Sequence, residues 1–106
     1  MRILKFIVEG QSIKPDPDCD FSGLVPGTNG YLQAEFAFSP EWASCVKVAS
    51  FYSAMGKEYT PKVLNQNTCS IPIEALAKRE FQVRIIGKCK DYTITTNKLA
   101  VRQTGG

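Results

Sequence analysis

The sequence predicts an all-β fold: an immunoglobulin-like antiparallel β-sandwich with one short helical turn near residues 72–78. Three observations carry that expectation. Apolar residues recur at a period of two in several short runs, the mark of strands with one buried face. Turn residues separate the runs at a spacing of about ten residues, the rhythm of a sandwich. Only the stretch from Pro72 to Lys78 has the composition of a helix.

The elements follow in chain order. Met1–Glu9 reads as a first strand, and Gly10-Gln11 turns it into a short partner around Ser12-Ile13-Lys14. Residues 15–30 hold three prolines, three glycines and three aspartates, so they form a long connecting loop. Leu32, Ala34, Phe36 and Phe38 alternate with Tyr31, Gln33, Glu35 and Ala37, giving a strand that ends at the Ser39-Pro40 corner. Trp42, the only tryptophan, stands at that corner, and Cys45 to Tyr52 leave it as the next strand. Met55-Gly56-Lys57, Asn65-Gln66-Asn67 and Cys89-Lys90-Asp91 are turn signals. Pro72 suits a first helical turn, followed by Ile73-Glu74-Ala75-Leu76-Ala77-Lys78, which links strands across the end of the sandwich. Phe81, Val83 and Ile85 mark a further strand, Tyr92 to Thr96 the next, and Leu99 and Val101 the last. Asn97-Lys98 signals a turn or a bulge within that terminal hairpin. The whole chain, 1–106, is expected to be one domain with a flexible tail at 103–106.

Composition excludes several classes. With 43% hydrophobic and 22% charged residues, the chain has the make-up of an ordinary globular domain. A net charge of +3, spread along the chain, is too diffuse to predict nucleic-acid binding. No segment has the roughly 18 apolar residues of a membrane helix, and Lys5 and Glu9 interrupt the opening apolar run, so it is not expected to be a signal peptide. A cytoplasmic site of synthesis follows, and the four cysteines, Cys19, Cys45, Cys69 and Cys89, are expected to be free and mostly buried thiols. A disulfide is the weaker alternative, and zinc is weaker still, because there is no Cys-x-x-Cys pair and no histidine.

The same residues weigh against chemistry. Asp16-Pro17-Asp18-Cys19-Asp20 opens like a calcium loop, but Phe21 stands where the loop needs glycine and Gly27 where it needs glutamate. Asx-type turns account for it better, so neither metal nor cofactor is expected. The lack of histidine removes the usual general base, Glu35, Glu41 and Asp91 read as solvated surface carboxylates, and no glycine-rich phosphate loop exists. The chain is expected not to be an enzyme. Cys19, Trp42 and Cys89 follow the order of antibody domains, but the spacing is too long and Gly87 occupies the tyrosine-corner position, so an antibody-type disulfide core is not expected.

Two residue groups remain. Phe36, Phe38, Pro40, Trp42 and Phe51 form a structural corner. Tyr52, Tyr59, Tyr92, Lys88 and Lys90 are candidate partner-binding residues, the tyrosines as stacking or anchoring groups and the lysines as a modest basic neighbourhood beside Lys78-Arg79. Their plainer reading is that edge lysines discourage sheet aggregation and that the tyrosines are partly core. The terminal Gly105-Gly106 is like that of a ubiquitin-type modifier, but residues 15–30 lack the long helix such a fold requires.

An ordered pattern runs from Gly30-Tyr31-Leu32 through Phe36-Ala37-Phe38, Pro40-Glu41-Trp42 and Lys47-Val48-Ala49-Ser50-Phe51. It continues with Cys69-Ser70-Ile71-Pro72, Glu74-Ala75-Leu76, Ile86-Gly87 and Thr95-Thr96-Asn97. This pattern, over residues 24 to 104, resembles the N-terminal domain of baseplate upper proteins and related tail or head-fibre proteins of phages infecting Gram-positive bacteria. The resemblance implies a non-enzymatic virion protein that docks onto other virion proteins, in a symmetric homo-oligomer or decorated assembly. It implies no role for nucleic acid or membrane. Longer relatives carry a fibre or receptor-binding region after this domain; its absence here favours an adaptor, a tail or baseplate component, or a capsid decoration protein. A free phage-encoded binding protein, directed at a host or defence factor or at a surface glycan, is the second expectation, and a diglycine modifier the third.

Overall fold

In the computed structural model, which describes residues 1–105, nine strands and two short helical turns follow one another. The strands are β1 (Arg2–Glu9), β2 (Ser12–Pro15), β3 (Leu32–Phe38), β4 (Val46–Ser53) and β5 (Lys62–Val63), then β6 (Thr68–Ser70), β7 (Glu80–Lys88), β8 (Thr93–Thr95) and β9 (Leu99–Arg102). A 3-10 turn, Pro40–Trp42, follows β3, and α1 (Ile73–Leu76) lies between β6 and β7.

Two sheets form an all-β sandwich. One has the order β2-β1-β3-β6; the other has β5-β4-β7-β8, with β9 also on β7. The period-two pattern explains the facing layers. Leu4, Phe6 and Val8 of β1 and Leu32, Ala34 and Phe36 of β3 are buried from one side. Ala49 and Phe51 of β4 and Phe81, Val83 and Ile85 of β7 are buried from the other. Phe6 stacks on Phe36 at 5.2 Å between ring centroids, and Phe51 meets Phe81 at 6.1 Å.

Most expected turns are in place. Gly10 takes a positive φ of 55° between β1 and β2, and Gln66 and Asn67 both have positive φ in the β5–β6 turn. The helical turn expected at 72–78 is α1, which buries Ala75 and Leu76 and carries the chain from the first sheet to the second. The Asn97-Lys98 signal is a bulge. Between the pairs Ile86↔Thr95 and Val83↔Leu99, β7 spends two residues, Arg84 and Ile85, while the returning strand spends three, Thr96, Asn97 and Lys98.

Three expectations change. The sandwich is not wholly antiparallel: β1 and β3 run parallel, from Arg2↔Leu32 to Val8↔Phe38. Parallel neighbours need a long crossover, and β2 together with the loop that follows it supplies one. The cysteines are not all free, because Cys45 and Cys89 form a disulfide. The two residues flank the antiparallel pair Val46↔Lys88 and so stand opposite each other, with Cα atoms 4.1 Å apart. The bridge lies within one sheet and not between sheets as in antibody domains.

The tail does not hang free from residue 103. Gln103 is fully buried; its amide Nε2 donates to Leu76 O at 2.9 Å and Lys78 O at 2.7 Å. Gly105 N donates to Leu24 O at 2.8 Å, so the segment is pinned between α1 and the long loop; Gly106 lies outside the described residues. Tyr52, in keeping with the plainer reading of the tyrosines, is 4% exposed, covered by Arg84 and Lys98.

Candidate functional site

The corner after β3 gathers the strongest sequence signal. Ser39 closes β3 through its N–H to Val8 O, and Pro40 starts the 3-10 turn. Trp42 is buried completely and lies 5.3 Å from the Phe38 ring, while its indole Nε1 donates to Gly10 O at 2.9 Å. The turn between β1 and β2 is thereby clamped to the corner. Gly10 N donates to both Ser39 Oγ and Glu41 Oε1 at 3.0 Å, and Ser39 Oγ donates to Glu41. The Ser39 hydroxyl and then the Gly10 amide hold the Glu41 carboxyl below the usual range. The Tyr92 hydroxyl donates to Glu41 O. Every polar group of Ser39-Pro40-Glu41-Trp42 named here is engaged within the protein, so this corner is a joint. Phe36 and Phe51 lie deeper in the same core, Phe36 at 6.2 Å from Phe38.

The candidate partner-binding residues do not converge. Lys88 and Lys90 are exposed near the disulfide end, and Tyr92, although 46% exposed, has its hydroxyl spent on the corner. Tyr52 pairs with Gln82, six residues along β4 from Val46, roughly 20 Å away. Its ring is faced by Lys98 Nζ at 4.0 Å from the centroid and by Arg84 Cζ at 5.3 Å. The Tyr52 hydroxyl and Arg84 Nε are buried without a partner among the described residues. Tyr59 is half-buried against the core, and its N–H donates to Phe51 O. The tyrosines follow the plainer reading in part: Tyr52 is buried, Tyr59 packs against the core and Tyr92 stays exposed.

The acidic loop behaves as Asx turns. Asp16 Oδ1 accepts from Asp18 N at 2.9 Å, and Asp20 Oδ1 from Ser22 N at 2.8 Å. Hydrogen bonding from Ser22 lowers the Asp20 pKa. Arg2 clamps this loop by donating to Asp20 O and Ser22 O. Glu35 lies on β3, Glu41 at the corner and Asp91 between β7 and β8, on separate elements. Of the two free cysteines, Cys19 is half-buried and Cys69 is buried, its thiol pushed up to about 12 by burial.

Residues outside the candidate sets hold the sandwich together. Asn97, thrown out by its bulge, accepts from Ile13 N through Oδ1 at 3.0 Å, and Asn97 N donates to Gln11 O. This latch joins the edges of the two sheets. Gln103 closes the end of α1, and Gly87 lets Trp42 lie on β7. The polar bulge residue at 97 was the visible signal; the Gly87 requirement has none outside the tertiary packing. No protein-family model, no curated protein and no solved structure matches this chain.

Proposed function

We propose that this chain is a non-enzymatic structural protein of a phage virion, a tail, baseplate or capsid-decoration adaptor that works by docking onto other virion proteins. The observation that carries the reading is the Pro40-Glu41-Trp42 corner. The most distinctive residues of the sequence bond inward, to Gly10, Ser39 and Tyr92, and rigidify a small module. A module so tied, with one intra-sheet disulfide and a latched pair of sheet edges, presents surfaces of fixed shape, which suits a building block. The phage placement rests on the resemblance above, whose elements fall on the strands, corner and turns of this fold. The Cys45–Cys89 bridge suits a particle that leaves the reducing cytoplasm of its host.

A glycan-binding role is less well supported, because Tyr52 offers no open ring face. A conjugated modifier needs a free tail, whereas Gly105 is packed so closely that a Cβ there would lie 2.8 Å from the Gly23 carbonyl carbon. Mass spectrometry of gradient-purified particles tests the virion reading. It expects this chain in amounts comparable to known structural proteins, and its absence from particles removes the reading.

A further inference from the structure

Most strand edges of the sandwich are covered, blunted or very short. On β2, Ile13 N is taken by Asn97, and Pro15, next in the same phase, has no N–H to offer. On β8, Thr95 O accepts from Gln11 Nε2 at 3.2 Å. β5 has two residues and β6 has three, joined by a tight turn. The outer edge of β9 differs. Gln103 N donates to Arg79 O at 2.7 Å, which fixes the phase of the ladder: 99, 101 and 103 turn their backbone groups to β7. Ala100 and Arg102 therefore aim N–H and C=O away from the sheet, and their N–H groups have no partner among the described residues.

Beside this edge the two sheets part. From the Asn97 latch, β2 and β9 diverge around a groove of about 330 Å³ lined by Pro15, Phe21, Ala100, Val101 and Arg102. Its floor is apolar, with Phe21 seated edge-on against Phe6 at 5.5 Å. Ala100 and Arg102, at the rim of this groove, and Lys98 just before β9 share the phase that faces away from the core. Lys98 has no acidic partner among the described residues, and Arg102 has Glu80 at 2.9 Å.

We propose that the β9 edge receives an extended segment of a partner protein in which apolar and acidic residues alternate, added as a further strand. The inference rests on the docking reading above and names its surface. Ala100 and Arg102 supply the backbone hydrogen bonds, alternate apolar side chains enter the Phe21 groove, and the acidic ones lie beside Lys98 and Arg102. A second copy of this chain fits less well. Pairing β9 with itself about Ala100 sets Lys98 beside Arg102 of the other copy, and like charges directly opposite repel.

The test uses the ¹⁵N-labelled full chain and the blocked peptide acetyl-Val-Glu-Val-Glu-Val-amide, read by amide hydrogen exchange. At a free peptide concentration ten times its Kd, exchange at Ala100 and Arg102 is expected to slow about tenfold. N-methylating the peptide amides that face β9 is expected to abolish this protection, and replacing glutamate by lysine to weaken it. Protection that survives N-methylation, shifts confined to the Lys88–Lys90 end, or no binding at millimolar peptide overturns the proposal. So does protection of Ala100 that grows with protein concentration alone, which assigns the edge to a second copy. Detection of the chain in particles is a separate result, so a particle-borne chain with a fast-exchanging β9 edge overturns the site and leaves the virion reading standing.

Discussion

Trp42 lies against Gly87 so closely that a Cβ at position 87 would stand 2.6 Å from Cζ3 of the indole. The backbone of Gly87 needs no unusual φ; only the space is committed. Gly87→Ala therefore forces the indole off its seat, where it also donates to Gly10 O. Denaturant unfolding should show a loss of about 1–3 kcal/mol. In a Trp42→Phe background the same change should cost less, because the smaller ring leaves room, and a double-mutant cycle reads the difference.

The Cys45–Cys89 bridge spans 44 positions of sequence and ties the ends of β4 and β7. Replacing both cysteines by alanine should lower stability by about 2–4 kcal/mol, since the unfolded chain regains the entropy of the open loop. Thiol titration of the unreduced, denatured chain should find the two free cysteines, and all four after reduction. In the native protein Cys69 should react far more slowly than Cys19, because burial keeps its thiol protonated.

Gln103 should be among the costliest polar residues to remove. Its side chain is fully buried, and its Nε2 donates to the carbonyls of Leu76 and Lys78 at the end of α1. Gln103→Ala removes the donor that both carbonyls share, leaving Leu76 O with the Gly27 N–H alone, and opens a void, so a loss of about 1–3 kcal/mol is expected in urea unfolding. Thr104→Ala, at an exposed neighbour, should change stability little.

Acid should loosen the corner. Glu41 has a depressed pKa in the folded chain because Ser39 and Gly10 donate to its carboxylate. Its contribution is thus fully present above the ordinary glutamate range and is lost as pH falls through the lowered folded value. Asp20, depressed by Ser22, acts in the same direction. Thermal melts from neutral pH into the acid range should show a decline that Glu41→Gln reduces, with the larger effect of the substitution at neutral pH.

The layers of the sandwich were legible because burial on one face of a strand leaves a period-two trace, as in Leu4-Phe6-Val8 and Phe81-Val83-Ile85. Turns were legible where backbone geometry selects residue type, as at Gly10 and Asn67. Strand pairing was not. Nothing local in Arg2–Glu9 says that its second neighbour is β3, running parallel, and without the β4–β7 register the opposition of Cys45 and Cys89 stays hidden. The burial of Tyr52 was legible only as a general expectation for tyrosines, because its phase along β4 points away from Phe51 and the side chains that cover it, Arg84 of β7 and Lys98 before β9, come from distant sequence. Gln103 gave no sign at all, since a polar residue near a chain end usually meets water. The candidate docking surface was legible only as a general expectation of exposed strand edges. Which edge is open depends on Asn97 and Pro15 closing β2.

The most direct measurement is lysine cross-linking of intact purified particles followed by mass spectrometry. Lys98 and Lys14 flank the groove between β9 and β2, whereas Lys88 and Lys90 stand at the disulfide end. Docking through the β9 edge predicts cross-links from Lys98 or Lys14 to another virion protein. Partner cross-links confined to Lys88 and Lys90, or particles that contain no trace of the chain, would contradict it.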